Sequence, residues 1–150
     1  MLQQIGMIGS TGPDGSPVIR ISIEGVRSVR HDFDAILDTG FTGFVSMSVQ
    51  DAFPLGLVLH SIDRVVYADG RDQERFIAVG TVRLGKDSRE GYIHLEPSSG
   101  EILLGMEFLR AFHFSLLLDP FTNFVQLFDE ADTKRIIDLL APNPENDNRT

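Results

Sequence analysis

Ala35-Ile36-Leu37-Asp38-Thr39-Gly40-Phe41-Thr42-Gly43-Phe44 decides how this chain is read. An apolar run, Phe33 to Leu37, stops at an acid. Thr39 and Gly40 then supply a tight turn, and Phe44-Val45-Ser46-Met47-Ser48 leaves it as a second extended run. Asp and Gly are turn formers, whereas β-branched and aromatic runs favour strands. The stretch is therefore strand, turn, strand, with an acid at the bend. It occurs once in 150 residues.

Outward from that centre the same alternation continues. Val18-Ile19-Arg20-Ile21-Ser22-Ile23 alternates apolar and polar residues, and Val29 to Leu37 returns after Glu24-Gly25. Before them, Gly9 to Pro17 reads as a loop, and Gln4 to Ile8 as a short strand. Ser48 is placed to cap a helical turn that Pro54 and Gly56 end. Leu57 to Ala68 and Gln73 to Leu84 are strand-like runs separated by Asp69-Gly70, a hairpin signal. Glu90 to Leu95 is a further strand. Ile102-Leu103-Leu104 is a buried run stopped by Gly105, and Met106 to Phe112 has helical spacing. Phe114 to Leu118 and Phe124 to Phe128 pair through the Asp119-Pro120 turn. Ala131 to Ala141 carries apolar residues at helical spacing. These elements predict an all-β fold, a closed β-barrel with one short helix after Leu-Leu-Gly and a C-terminal helix.

Three of these segments, in this order, resemble the retropepsin-like aspartic proteases: residues 35–44, then Tyr67-Ala68-Asp69-Gly70, then Ile102 to Leu109. The form Asp-Thr-Gly-Phe-Thr-Gly is similar to the bacterial branch of that group. The resemblance covers roughly residues 17–128 and implies one protease domain there. Residues 1–16 are then an N-terminal strand and loop, 129–141 a C-terminal helix and 142–150 a flexible polar tail. It implies that Asp38 is the catalytic acid, that Thr39 bonds across a two-fold axis, and that Gly40 permits the turn. Tyr67, Ala68, Asp69 and Gly70 would form a flap, and Leu104-Gly105 would support the active turn from behind. Because two carboxylates are needed and one is present, the resemblance implies a homodimeric aspartic endopeptidase acting on peptide or unfolded protein, without metal or other cofactor. Two features depart from the group. Phe41 stands where a small residue is usual and becomes a substrate-pocket candidate. Beyond Asp129 a helix and tail replace the terminal strand that pairs across the retroviral dimer.

The bulk composition narrows the alternatives. A net charge of −9 argues against a nucleic-acid partner, and the absence of cysteine excludes disulfides and thiolate chemistry. No signal peptide or transmembrane run is visible, so a cytoplasmic location without membrane contact is the expectation. His31, His60, His94 and His113 lack metal-ligand spacing, and no serine sits in a nucleophile elbow. Gly9-Ser10-Thr11-Gly12 lacks the ending of a phosphate loop. Asp34 and Asp119 are rival acids, read respectively as a solvent-facing strand residue and a turn residue. Two other readings of Asp38 compete with catalysis. One is a non-catalytic dimerisation or peptide-binding module, with Phe41 occluding the cleft. The other is an unrelated small barrel with a plain turn.

Overall fold

Ile19, Ile21 and Ile23 point inward along one strand while Arg20 and Ser22 do not, the alternation that a half-buried strand requires. A computed structural model describes residues 7–66, 68–98 and 100–141 of the chain. In chain order its strands are β1 (Met7–Ile8), β2 (Ser10–Thr11), β3 (Pro17–Glu24), β4 (Arg30–Leu37), β5 (Val45–Ser48), β6 (Val58–Val66), β7 (Asp72–Leu84), β8 (Asp87–Glu96), β9 (Ile102–Leu104), β10 (Ser115–Asp119) and β11 (Phe124–Phe128). Its helices are α1 (Val49–Ala52), α2 (Met106–Phe112) and α3 (Glu130–Leu140).

The larger sheet has the order β2-β3-β4-β9-β5-β8-β7-β6. β3 also pairs with β7, through Ser22↔Arg83, Ile23↔Val82 and Glu24↔Thr81. The pairings β3–β4–β9–β5–β8–β7–β3 thus return to their start, and among the described residues β2 and β6 are the terminal strands of this sheet. Two of its joints are parallel, β4 with β9 and β5 with β8. Parallel neighbours need distant crossovers, so short sequence windows do not announce them. All four residues of β5 are buried. A strand covered on both faces loses the period-2 pattern, and here even Ser46 and Ser48 lie inside. A smaller sheet, β1-β11-β10, packs Val125 and Leu127 inward.

The core gathers Ile19, Ile21, Ile23, Leu37, Met47, Leu55, Ile93, Leu104, Phe108 and Leu127. Phe108, wholly buried on α2, packs against Phe44 and Phe112 at ring separations of 6.1 and 4.9 Å. Ser48 caps α1, as the sequence predicts: its hydroxyl accepts from the Asp51 N–H at 3.1 Å. α3 is capped by Asp129 and tied to β10 by the Ser115 and Thr133 hydroxyls, 2.7 Å apart. It buries none of its residues.

The sequence reading and the structure differ at a few boundaries. The expected loop from Gly9 to Pro17 contains β2, which pairs with the start of β3. β8 runs from Asp87 rather than Glu90, because Leu84↔Asp87 closes a tight hairpin at Gly85-Lys86. Of the predicted strand at 4–8, only Met7–Ile8 lies within the described residues, and the predicted tail at 142–150 lies outside them. No helix among the described residues is long and apolar enough to cross a membrane.

Phe108→Ala should cost about 3–5 kcal/mol, because a large cavity opens where the ring was fully enclosed. Leu139→Ala, at 84% exposure on α3, should stay within about 0.5 kcal/mol. Urea denaturation of both variants checks the contrast.

Candidate active site

Leu37 is buried and ends β4; Asp38 follows on the half-buried rim. The Asp38 N–H donates to the Leu104 carbonyl at 2.9 Å, one rung beyond the β4–β9 ladder. The Phe41 N–H donates to the Asp38 carbonyl at 3.1 Å and closes a four-residue turn. Inside that turn the Gly40 N–H donates to Asp38 Oδ1 at 2.9 Å. The carboxylate is thereby oriented by its own backbone, the Asx geometry that makes Asp a good turn residue. Thr39 and Gly40 themselves are exposed.

Behind the turn lies the segment Leu104-Gly105-Met106. The first N–H groups of a helix have no intrahelical partner and must bond elsewhere. At α2 no side chain caps them. The Met106 N–H instead donates to the Phe41 carbonyl at 2.8 Å, and the Glu107 N–H to the carbonyls of Thr42 and Gly43 at 3.3 and 3.1 Å. The Gly105 N–H donates to the Phe44 carbonyl at 3.1 Å. The Asp38 turn and the helix N-terminus thus satisfy one another. That approach leaves no room at position 105. A Cβ there would lie 2.2 Å from the Gly43 oxygen and 2.5 Å from the Phe41 oxygen.

The Phe41 ring packs against the two glycines at 43 and 105. A Cβ on Gly43 would meet Phe41 Cζ at 2.5 Å, and one on Gly105 would meet Phe41 Cδ1 at 2.7 Å. The ring also meets the His94 imidazole edge to face, with centroids 5.5 Å apart and planes at 87°. His94 lies on β8, beside Ser46 of β5 and Ile77 of β7. Burial holds its pKa below the ordinary histidine value, and the Arg75 charge pushes the same way against Asp63 and Glu96. Its Nδ1 is buried with no hydrogen-bond partner among the described residues. Next to it Arg75 pairs with Glu96 at 3.3 Å, and the Ser46 hydroxyl donates to Glu96 at 3.4 Å. In the sequence His94 is one of four histidines without metal-ligand spacing. Its place under the turn arises from the parallel pairing of β5 with β8, which leaves no local signal.

The hairpin β6–β7 carries the proposed flap residues. Its last pair is Val66↔Asp72, so the tip comprises residues 67–71. Tyr67 lies outside the described residues. Asp69 Oδ1 accepts from the Arg71 N–H at 3.1 Å, its Oδ2 accepts from Arg71 Nε at 2.7 Å, and Gly70 takes a φ of +81°. Behind the tip, Ile62 and Phe76 sit opposite one another across the two strands, 53% and 40% exposed.

The rival acids stand apart from this constellation. Asp34 pairs with Arg20 at 3.1 Å on the outer surface. Asp119 accepts from the Thr122 hydroxyl and the Phe121 N–H, and these bonds lower its pKa. An apolar groove beside α1, lined by Val49, Phe53, Leu57 and Leu95, holds no acid. Among the described residues no group of three or more His, Asp or Glu is arranged to hold a metal ion.

No protein-family model matches the chain, and no curated protein does. Solved structures do. A retropepsin-like aspartic protease from Rickettsia conorii is 19% identical, with a TM-score of 0.55, over 85% of this chain and 98% of that one. EIAV protease complexed with the inhibitor HBY-793 is 15% identical, with a TM-score of 0.51, over 69% of this chain and 93% of that one. The chain has a retropepsin-like fold.

Gly105→Ala should destabilise by about 1–3 kcal/mol, since backbone oxygens rather than a movable side-chain end meet the new methyl group. Chemical denaturation beside the wild type measures it. The lowered His94 pKa gives a second expectation. The unfolded chain takes up this proton near pH 6.5 and the folded chain only at lower pH. The contribution of His94 is therefore complete above that point and is lost as pH falls towards the folded value. Melting temperature plotted against pH should decline less steeply below about pH 6.5 in His94→Gln than in the wild type.

Proposed function

We propose that this chain, with its retropepsin-like fold, works as a homodimeric aspartic endopeptidase whose two Asp38 carboxylates, one from each copy, share a proton. The observation that carries this reading is the Asp38 carboxylate itself. It is half-buried at the end of β4, with Oδ1 held by the Gly40 N–H inside a turn clamped to Leu104 and Met106. Such clamping suits a group that must keep its geometry through a reaction. One Asp-Thr-Gly turn per chain suits a site completed by a second copy.

Two carboxylates a hydrogen bond apart do not both ionise, so one of the pair keeps its proton at mildly acidic pH. The ionised carboxylate takes a proton from water as the water oxygen bonds to the scissile carbonyl carbon. The protonated carboxylate gives its proton to the carbonyl oxygen. The resulting gem-diol loses its amine when a proton passes to the nitrogen and the C–N bond breaks. Carboxylic acid and amine leave, and the pair is again singly protonated. Either Asp38 can begin in either role, since the dimer is symmetric. Thr39, exposed at the turn, is assigned to bond across the two-fold axis, and Leu104 and Gly105 to support the turn from behind.

The hairpin tip with Tyr67, Ala68, Asp69 and Gly70 is assigned the role of flap. Ile62 and Phe76 would then give the hairpin an apolar face that a bound extended peptide could cover. Phe41, packed on Gly43, Gly105 and His94, is assigned to the wall of the substrate pocket. The rival reading, a dimeric module that holds peptide without cutting it, predicts the same surfaces and no products.

Asp38→Asn should keep the wild-type far-ultraviolet spectrum, melting behaviour and sedimentation. Its cleavage of denatured casein at mildly acidic pH should fall by about 10²–10⁴-fold. Equal cleavage by wild type and variant would remove Asp38 from the chemistry. Binding of peptide by the wild type without any cleavage would favour the module.

A further inference from the structure

We propose that His94 is a positioning residue for the reaction assigned above: its ring, set edge to face against Phe41, fixes the backbone that aims the Asp38 carboxylate.

The Phe41 N–H and carbonyl are both committed, the first to the Asp38 carbonyl at 3.1 Å and the second to the Met106 N–H at 2.8 Å. Any shift of the Phe41 ring therefore pulls on the turn that carries the acid. The ring is confined by Gly43 and Gly105, where a single methyl group would overlap it. Its remaining aromatic neighbour is His94, at 5.5 Å and 87°, the edge-to-face arrangement that aromatic quadrupoles favour. His94 in turn is held on β8 between β5 and β7, where it faces the Arg75–Glu96 pair, with the Asp63 charge acting on it as well. The contact thus joins the base of the β6–β7 hairpin sheet to the turn.

The chemistry of the imidazole suits the task. Burial and the Arg75 charge favour its neutral form, and Nδ1 has no hydrogen-bond partner among the described residues. The ring is held edge to face with Phe41, and the surroundings that lower its pKa disfavour adding a charge at that contact. The role needs an aromatic ring, not a titrating one, and this distinguishes it from general acid–base work.

The inference rests on the proposed peptidase reading, so its test has one arm that activity does not control. In a ¹⁵N–¹H spectrum, the Gly40 amide reports its bond to Asp38 Oδ1. His94→Ala should shift that resonance, and His94→Phe should leave it near the wild-type position. If the alanine variant does not fold, His94→Gln, which lacks the ring, takes its place. In the kinetic arm, the ringless variant should lose on the order of tenfold in kcat with KM within about twofold. His94→Phe should recover kcat to within about threefold of wild type. Combining Phe41→Leu with the ringless variant should cost less than the sum of the two single losses. An unmoved Gly40 resonance, an unchanged kcat, a phenylalanine variant as impaired as the ringless one, or strictly additive losses would overturn the assignment. A wild type that cleaves nothing would refute the peptidase reading, and the Gly40 resonance would still decide the positioning.

Discussion

The N-terminus of α2 bonds to the very loop that carries Asp38, and the rest of the site depends on that exchange. Helix N–H groups at 106 and 107 need acceptors; loop carbonyls at 41, 42 and 43 need donors; each set serves the other. Each such bond contributes about 0.5–1.5 kcal/mol, and together they hold the two segments in one relative position. Gly105 is the condition for it, because the backbones approach closer than any Cβ allows. Strand β9 delivers that glycine by pairing parallel to β4, with Leu104 opposite Leu37. A ladder of three residues therefore sets where the acid sits.

Much of this was legible in the sequence, for identifiable reasons. β3 and β4 were visible because their alternating pattern and intervening Gly25 are local features. Gly105 as a helix entry and Ser48 as a cap were visible because glycine and serine have strong positional meaning. The bend at Asp38 followed from an acid, Thr and Gly between two apolar runs. The parallel joints β4–β9 and β5–β8 were not readable from short windows, since their partners lie about 50 or more residues apart. His94 was missed for the same reason. Its neighbours Phe41, Ser46 and Arg75 come from three other segments, and no spacing rule connects them. The short β2 escaped because its two residues sit in a stretch dominated by Gly, Ser and Pro.

The two sides proposed to enclose a substrate differ in how they are held. Under Asp38 lie Phe41, two glycines, the helix end and the core residue Phe108. Above it, in the proposed assembly, would lie a hairpin whose outer strand β6 pairs, among the described residues, with β7 alone and whose residues 68–71 are exposed. In the proposed function, the held turn and the hairpin would together enclose an extended peptide. α3 follows β11 outside the ring of strands and buries none of its residues.

The separation between the two Asp38 carboxylates in a crystal of the assembled protein bears most directly on the account. The proposed pairing predicts a two-fold axis between two Asp-Thr-Gly turns, with the nearest carboxylate oxygens about 2.5–3.0 Å apart. Acids far from each other in every assembly, or facing away from any groove, would contradict it.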